Sequence, residues 1–148
     1  MSIALSTAIL VLIILLLIMI SAFFSSAETA LTAASEARIR QLAKTKANRQ
    51  AMRVEKLRKN KEELITTILV GNNLVNILAS ALATSAAISL TGDGGVALAT
   101  LVMTVIIVLF AEVLPKSYAF NNADRFSLKI ALIVQILSLI HISEPTRQ

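Results

Sequence analysis

The run AILVLIILLLIMI, Ala8 to Ile20, contains no polar side chain. A helix rises about 1.5 Å per residue, so about 20 apolar residues cross the ~30 Å hydrocarbon core of a bilayer. With its flanks the run extends from Ile3 to Phe24 and predicts a membrane-spanning helix. A cleaved signal peptide is the competing reading, and Ser25-Ser26-Ala27 supplies small residues for cleavage. Against it, no Lys or Arg precedes the run, which is also long for a signal h-region of about 7–15 residues.

Working outward, the same character returns twice. Residues 64–90 and 96–118 predict second and third spans, separated by the dense turn chemistry of Thr91-Gly92-Asp93-Gly94-Gly95. The apolar stretch 126–140 carries Lys129 and Gln135 and is short for a crossing, so an in-plane helix and a short fourth span both stay open. Between spans one and two lies a segment rich in Ala, Arg, Lys, Glu and Gln, all good helix formers. Ile39, Leu42 and Ala43, continued by Met52, Leu57 and Leu64, form a sparse apolar stripe that predicts amphipathic helices at the membrane surface. The fold class read from the sequence is therefore an all-α membrane protein, with three transmembrane helices plus amphipathic juxtamembrane helices. It occupies residues 1–140. Residues 141–148 have neither membrane nor domain character and are read as a non-native tail.

Charge sets the expected orientation. Of the 148 residues 56% are apolar and 16% charged, and ten of the 14 Lys and Arg lie between Arg38 and Lys61. Beside apolar spans, such a cluster reads as a cytoplasmic loop facing anionic lipid. Loop 35–63 is accordingly expected in the cytoplasm, and the basic-free turn at 91–95 and the N-terminus outside, in a multi-pass protein of the cell membrane, a bacterial inner membrane. Nucleic acid is not expected as a partner, because the basic stretch has no aromatic residue for base stacking. With no cysteine there are no disulfides or thiolate metal sites. No Ser/His pair, HExxH or phosphate-binding glycine loop is present, so no enzymatic activity is expected.

Several polar groups sit within or at the ends of the apolar spans: Ser25, Ser26 and Glu28; Gly71-Asn72-Asn73; Asn76; and Glu112 with Pro115. Polar groups in hydrocarbon are costly and usually face a bundle interior or a wet cavity. Asn72 and Asn76 fall about 8 and 12 residues into the second span, roughly 12–18 Å deep at helical rise, and share a helix face. Pro115 lacks an N–H, which in an α-helix frees the carbonyl of Ala111 beside Glu112. Gly71 lets a neighbouring helix approach and exposes its own carbonyl. Every potential ligand is an oxygen, which suits a hard cation. Each residue also has a second reading. Intramembrane Asn and Ser often serve as interhelical hydrogen-bond glue. Glu112 can pair with Lys116 four residues on. Glu28 can cap a helix or face the headgroups.

Three stretches carry a resemblance. Phe23-Phe24-Ser25-Ser26-Ala27-Glu28-Thr29-Ala30-Leu31, Gly71-Asn72-Asn73-Leu74-Val75-Asn76 and Phe110-Ala111-Glu112-Val113-Leu114-Pro115-Lys116 resemble, in order, the three signatures of the CNNM/CorC (HlyC/CorC, DUF21) transmembrane domain. The resemblance implies Mg²⁺ transport, described as efflux coupled to Na⁺ entry and working by alternating access. It also implies a homodimer with three spans and a juxtamembrane belt helix per subunit. Carried over residue by residue, its metal site falls on Ser25, Asn72, Asn76 and Glu112, with Asn73, Glu28 and the backbone of Gly71 and Ala111 as weaker candidates. Family members continue into an ATP-binding CBS-domain pair, which this chain lacks, so it is read as truncated before that pair. The alternative function is a membrane anchor or Mg²⁺ sensor that binds the ion without moving it.

Overall fold

The computed structural model describes residues 2–45, 48–92 and 94–142. The centre of the turn at Asp93 and tail residues 143–148 lie outside the described residues. Those described form helices α1 (Ser2–Ala33), α2 (Glu36–Lys44), α3 (Arg49–Lys59), α4 (Lys61–Thr91), α5 (Gly95–Ile106), α6 (Leu114–Asn121) and α7 (Ala123–Ile142). A π-helical segment, Ile107–Val113, lies between α5 and α6 in the sequence. Three helical stretches are long and apolar enough to cross a membrane: Ser6–Ala33, Lys61–Thr91 and Gly95–Asn121. All three continue past the spans expected from hydropathy alone.

The chain divides into two compact units. The first comprises residues up to Ser25 together with Gly71–Pro115. Its core is Ile14 of α1, Ala79 and Ala83 of α4 and Met103 of α5, with Leu17, Ile18, Leu82 and Ile107 packed around them. Ala79 and Ala83 are one helical turn apart, and such small side chains let membrane helices approach closely. Large apolar side chains such as Leu12, Met19, Leu74, Leu98 and Leu101 point outward. In water that surface would be a liability; against acyl chains it is the expected one. Four hydroxyls of α4 and α5 are absorbed locally. Thr84, Ser89, Thr100 and Thr104 each donate to the carbonyl four residues back at 2.8–2.9 Å.

The second unit comprises Ser26–Val70 and the residues from Lys116 onward. Here α2 packs on α3, and α3 on α7. Ser35 caps α2 by accepting from the Arg38 N–H, and Asn48 caps α3 by accepting from the N–H groups of Gln50 and Ala51. The predicted stripe needs correction on α3. Met52 is exposed, and the buried face is Ala51, Val54 and Leu57, three residues apart on the side of α3 that packs against its neighbours. On α2 the expected Ile39 and Ala43 are buried. α7 begins before the expected apolar stretch, at Ala123, and buries Ser127, Ile130, Ala131 and Val134.

Candidate functional site

The polar stretch Gly71–Asn76 does not interrupt the second span, because α4 is helical throughout. It therefore presents Asn72 and Asn76 one turn apart, with Asn72 buried, Asn76 half-buried and Asn73 exposed. On α1, Ser21 and Ser25 are likewise one turn apart, and both are buried. The Ser21 hydroxyl donates to the Asn72 amide oxygen at 2.6 Å. Sequence reasoning missed Ser21. The signal was available: it is the first polar residue after the apolar run and stands four positions before Ser25, on the same helix face.

Gly71 faces a side chain, the ring of Phe24. A Cβ built at Gly71 would lie 3.4 Å from Phe24 Cζ, an ordinary van der Waals contact. The glycine is therefore not forced by a close backbone approach. Within the unbroken helix its carbonyl also stays in the helical ladder rather than being exposed.

Glu112 sits in the π-helical segment. The Leu114 N–H reaches the Leu109 carbonyl, five residues back instead of four. Pro115 explains the widened turn: in an α-helix its ring would press on the carbonyl four residues earlier, that of Ala111. One extra residue in the turn relieves that clash. In the five-residue register it is Phe110 whose carbonyl stands opposite the missing N–H, and Ala111 is fully buried.

Asn73, Asn76, Ser80, Thr104 and Glu112 line one cleft of about 550 Å³ within the first unit. Ser25 and Asn72 do not line it. The Asn76 amide oxygen is buried and has no hydrogen-bond partner among the described residues. Glu112 makes no ion pair among the described residues. Lys116, its suggested partner, pairs with Glu28 instead, at 3.6 Å, within the second unit. Glu28 therefore has an ionic partner of its own, which neither capping nor headgroup exposure anticipated. No three His, Cys, Asp or Glu side chains cluster among the described residues. A cation in the cleft would meet amide and hydroxyl oxygens and one carboxylate, a hard donor set.

The family model described as the cyclin M transmembrane N-terminal domain, CNNM, matches residues 12–142. The chain is 50% identical over 121 residues to the UPF0053 inner membrane protein YfjD of Escherichia coli, covering 82% of this chain and 28% of that protein. It is 43% identical over 121 residues to a chloroplastic DUF21 domain-containing protein of Arabidopsis thaliana, covering 82% of this chain and 18% of the relative. A UPF0053 protein of Haemophilus influenzae is 41% identical over 126 residues, covering 85% of this chain and 29% of the relative. The chain thus spans less than a third of the length of these curated relatives.

Proposed function

The chain belongs to the CNNM transmembrane-domain family, and from that premise we propose that it binds Mg²⁺ as its transported substrate and moves it across the membrane. The observation that carries this reading is the buried, partnerless amide oxygen of Asn76 on the wall of a cleft shared with the Glu112 carboxylate. An unsatisfied polar atom in an apolar setting costs free energy, and a hard cation satisfies both groups at once. Glu112, Asn76 and a backbone loosened by the π-helical segment supply the polar wall. Asn73 contributes from its edge. Ser25 and Asn72 complete the site in a second state of the bundle, as alternating access requires. One carboxylate is a low charge count for a divalent ion, which favours release over storage.

Na⁺ is the coupling ion driving Mg²⁺ efflux, and the working form is a homodimer. The basic segment 35–63 faces the cytoplasm and the N-terminus lies outside, as the clustering of Lys and Arg supports.

The test is Mg²⁺ flux in proteoliposomes with and without a Na⁺ gradient. Glu112→Gln and Asn76→Ala should abolish both flux and Mg²⁺-dependent thermal stabilisation, with the dimer intact. Normal flux in both variants removes the site assignment. Binding without any flux in the unmodified chain moves the protein to the sensor reading.

A further inference from the structure

We propose that the hollow between α2 and the α6–α7 junction is a headgroup site for an anionic phospholipid, with the phosphate held by Arg38 and Arg125. The hollow measures about 520 Å³ and lies wholly within the second unit. Its polar wall includes Arg38, Asn121, Arg125 and the first turn of α7. A helix N-terminus presents unpaired N–H groups and a positive dipole end to an anion. The one opposing charge, Asp124, is already committed. Its carboxylate accepts from the Ser35 N–H at 2.7 Å and stands 3.5 Å from an Arg38 guanidinium nitrogen. That contact positions Arg38 and engages only one of its five N–H donors. Arg125 is exposed and makes no ion pair among the described residues.

Three observations favour a lipid over a free phosphate. The rest of the wall is apolar, supplied by Leu42, Phe120 and Leu128, and Phe120 is 67% exposed. From Leu128 the track continues along α7 at four-residue steps through Leu132 and Ile136, both about half exposed, which gives an acyl chain a path leading out of the headgroup hollow. Tyr118, Phe120 and Phe126 are three of the chain's six aromatic residues. Tyr118 and Phe126 meet edge-on at 6.1 Å, and aromatic side chains gather at headgroup level in membrane proteins.

The experiment is native mass spectrometry of the whole chain in detergent, titrated with dioleoylphosphatidylglycerol, dioleoylphosphatidylcholine or inorganic phosphate. Phosphatidylglycerol should bind in preference to phosphatidylcholine. Arg125→Gln should weaken that binding about fivefold, as should Arg38→Gln. Arg125→Lys should keep most of the affinity. The control Lys44→Gln/Lys56→Gln removes charge from α2 and α3 outside the hollow and should change little. Arg125→Gln breaks no ion pair among the described residues, so it decides the matter if Arg38→Gln unfolds. Equal loss in the control would mean diffuse attraction and would overturn the site. Phosphatidylcholine binding as tightly as phosphatidylglycerol would do the same. Arg125-dependent binding of inorganic phosphate at the lipid's affinity would replace the lipid with a soluble anion.

Discussion

The Ser21 hydroxyl and the Asn72 amide oxygen meet across 2.6 Å at a buried point between α1 and α4. This bond separates two residues that the sequence presents as equivalents. Asn72 is engaged with a neighbouring helix and has one lone pair of its oxygen left for a cation. Asn76, one turn along, has its oxygen unpartnered among the described residues. Asn72 is thus engaged in interhelical adhesion, and the proposed ion-binding role falls more heavily on Asn76.

Removing the donor tests that division. Ser21→Ala leaves Asn72 without its partner and should cost about 0.5–2 kcal/mol, the range for hydrogen bonds between membrane helices. Unfolding in mixed micelles with denaturing detergent reads this directly. Mg²⁺ affinity should fall less in Ser21→Ala than in Asn76→Ala. Unchanged stability would mean that the bond contributes nothing, and a larger affinity loss at Ser21 than at Asn76 would reverse the assignment of roles.

The Glu28–Lys116 pair leads to an opposite expectation for a residue that stood as a weaker ligand candidate. Its side chains are 24% and 44% exposed and 3.6 Å apart, so the pair is worth less than about 1 kcal/mol. Glu28→Gln should therefore leave both stability and Mg²⁺-dependent stabilisation close to those of the parent chain, whereas Glu112→Gln should not. Isothermal titration with Mg²⁺ on both variants decides this. Equal loss of binding in the two would restore Glu28 to the ligand set.

Much of this was legible because a bilayer makes strong demands on composition. The run Ala8–Ile20 has no soluble interpretation of similar simplicity, and Asn72 and Asn76 stand out because few polar residues surround them. What could not be read depended on helix phase and register. Met52 and Val54 are both apolar, and the packing of α3 against α2 and α7 decides which is buried. Pro115 announces a disturbed helix, but not whether the chain responds with a kink or an inserted residue; the response is the π-helical segment Ile107–Val113. The partner of Lys116 was out of reach for a similar reason: a pairing four residues away in sequence competes with one that only the tertiary fold creates.

Gly71 provides a test of sterics. The Phe24 ring leaves room for a methyl group at ordinary contact distance, and alanine is favoured over glycine inside a helix by up to about 1 kcal/mol. Gly71→Ala should fold normally and unfold at the same or slightly higher denaturant concentration. Gly71→Leu should be strongly destabilised, because its longer side chain has to displace the ring. A collapse in stability from the single methyl group would show that α1 and α4 pack more tightly at this point than the Phe24 contact implies.

Arg58 joins α3 to the end of α1 inside the second unit. Its guanidinium donates to the Ala34 carbonyl at 2.8 Å from a half-buried position. Carbonyls at a helix C-terminus lack intrahelical partners and carry the negative end of the dipole, so a cation is well placed there. A hydrogen bond from a charged donor contributes about 1.5–3 kcal/mol, and Arg58→Ala should cost an amount in that range. Arg40 gives the matched comparison: it pairs with Glu36 on the same helix at 2.7 Å, but both side chains are more than half exposed. Arg40→Ala should therefore cost no more than about 0.5 kcal/mol. Hydrogen exchange over residues 35–59 distinguishes the two, with faster exchange expected across α2 and α3 in Arg58→Ala only. Equal effects from both variants would mean that the Ala34 contact adds nothing beyond surface charge.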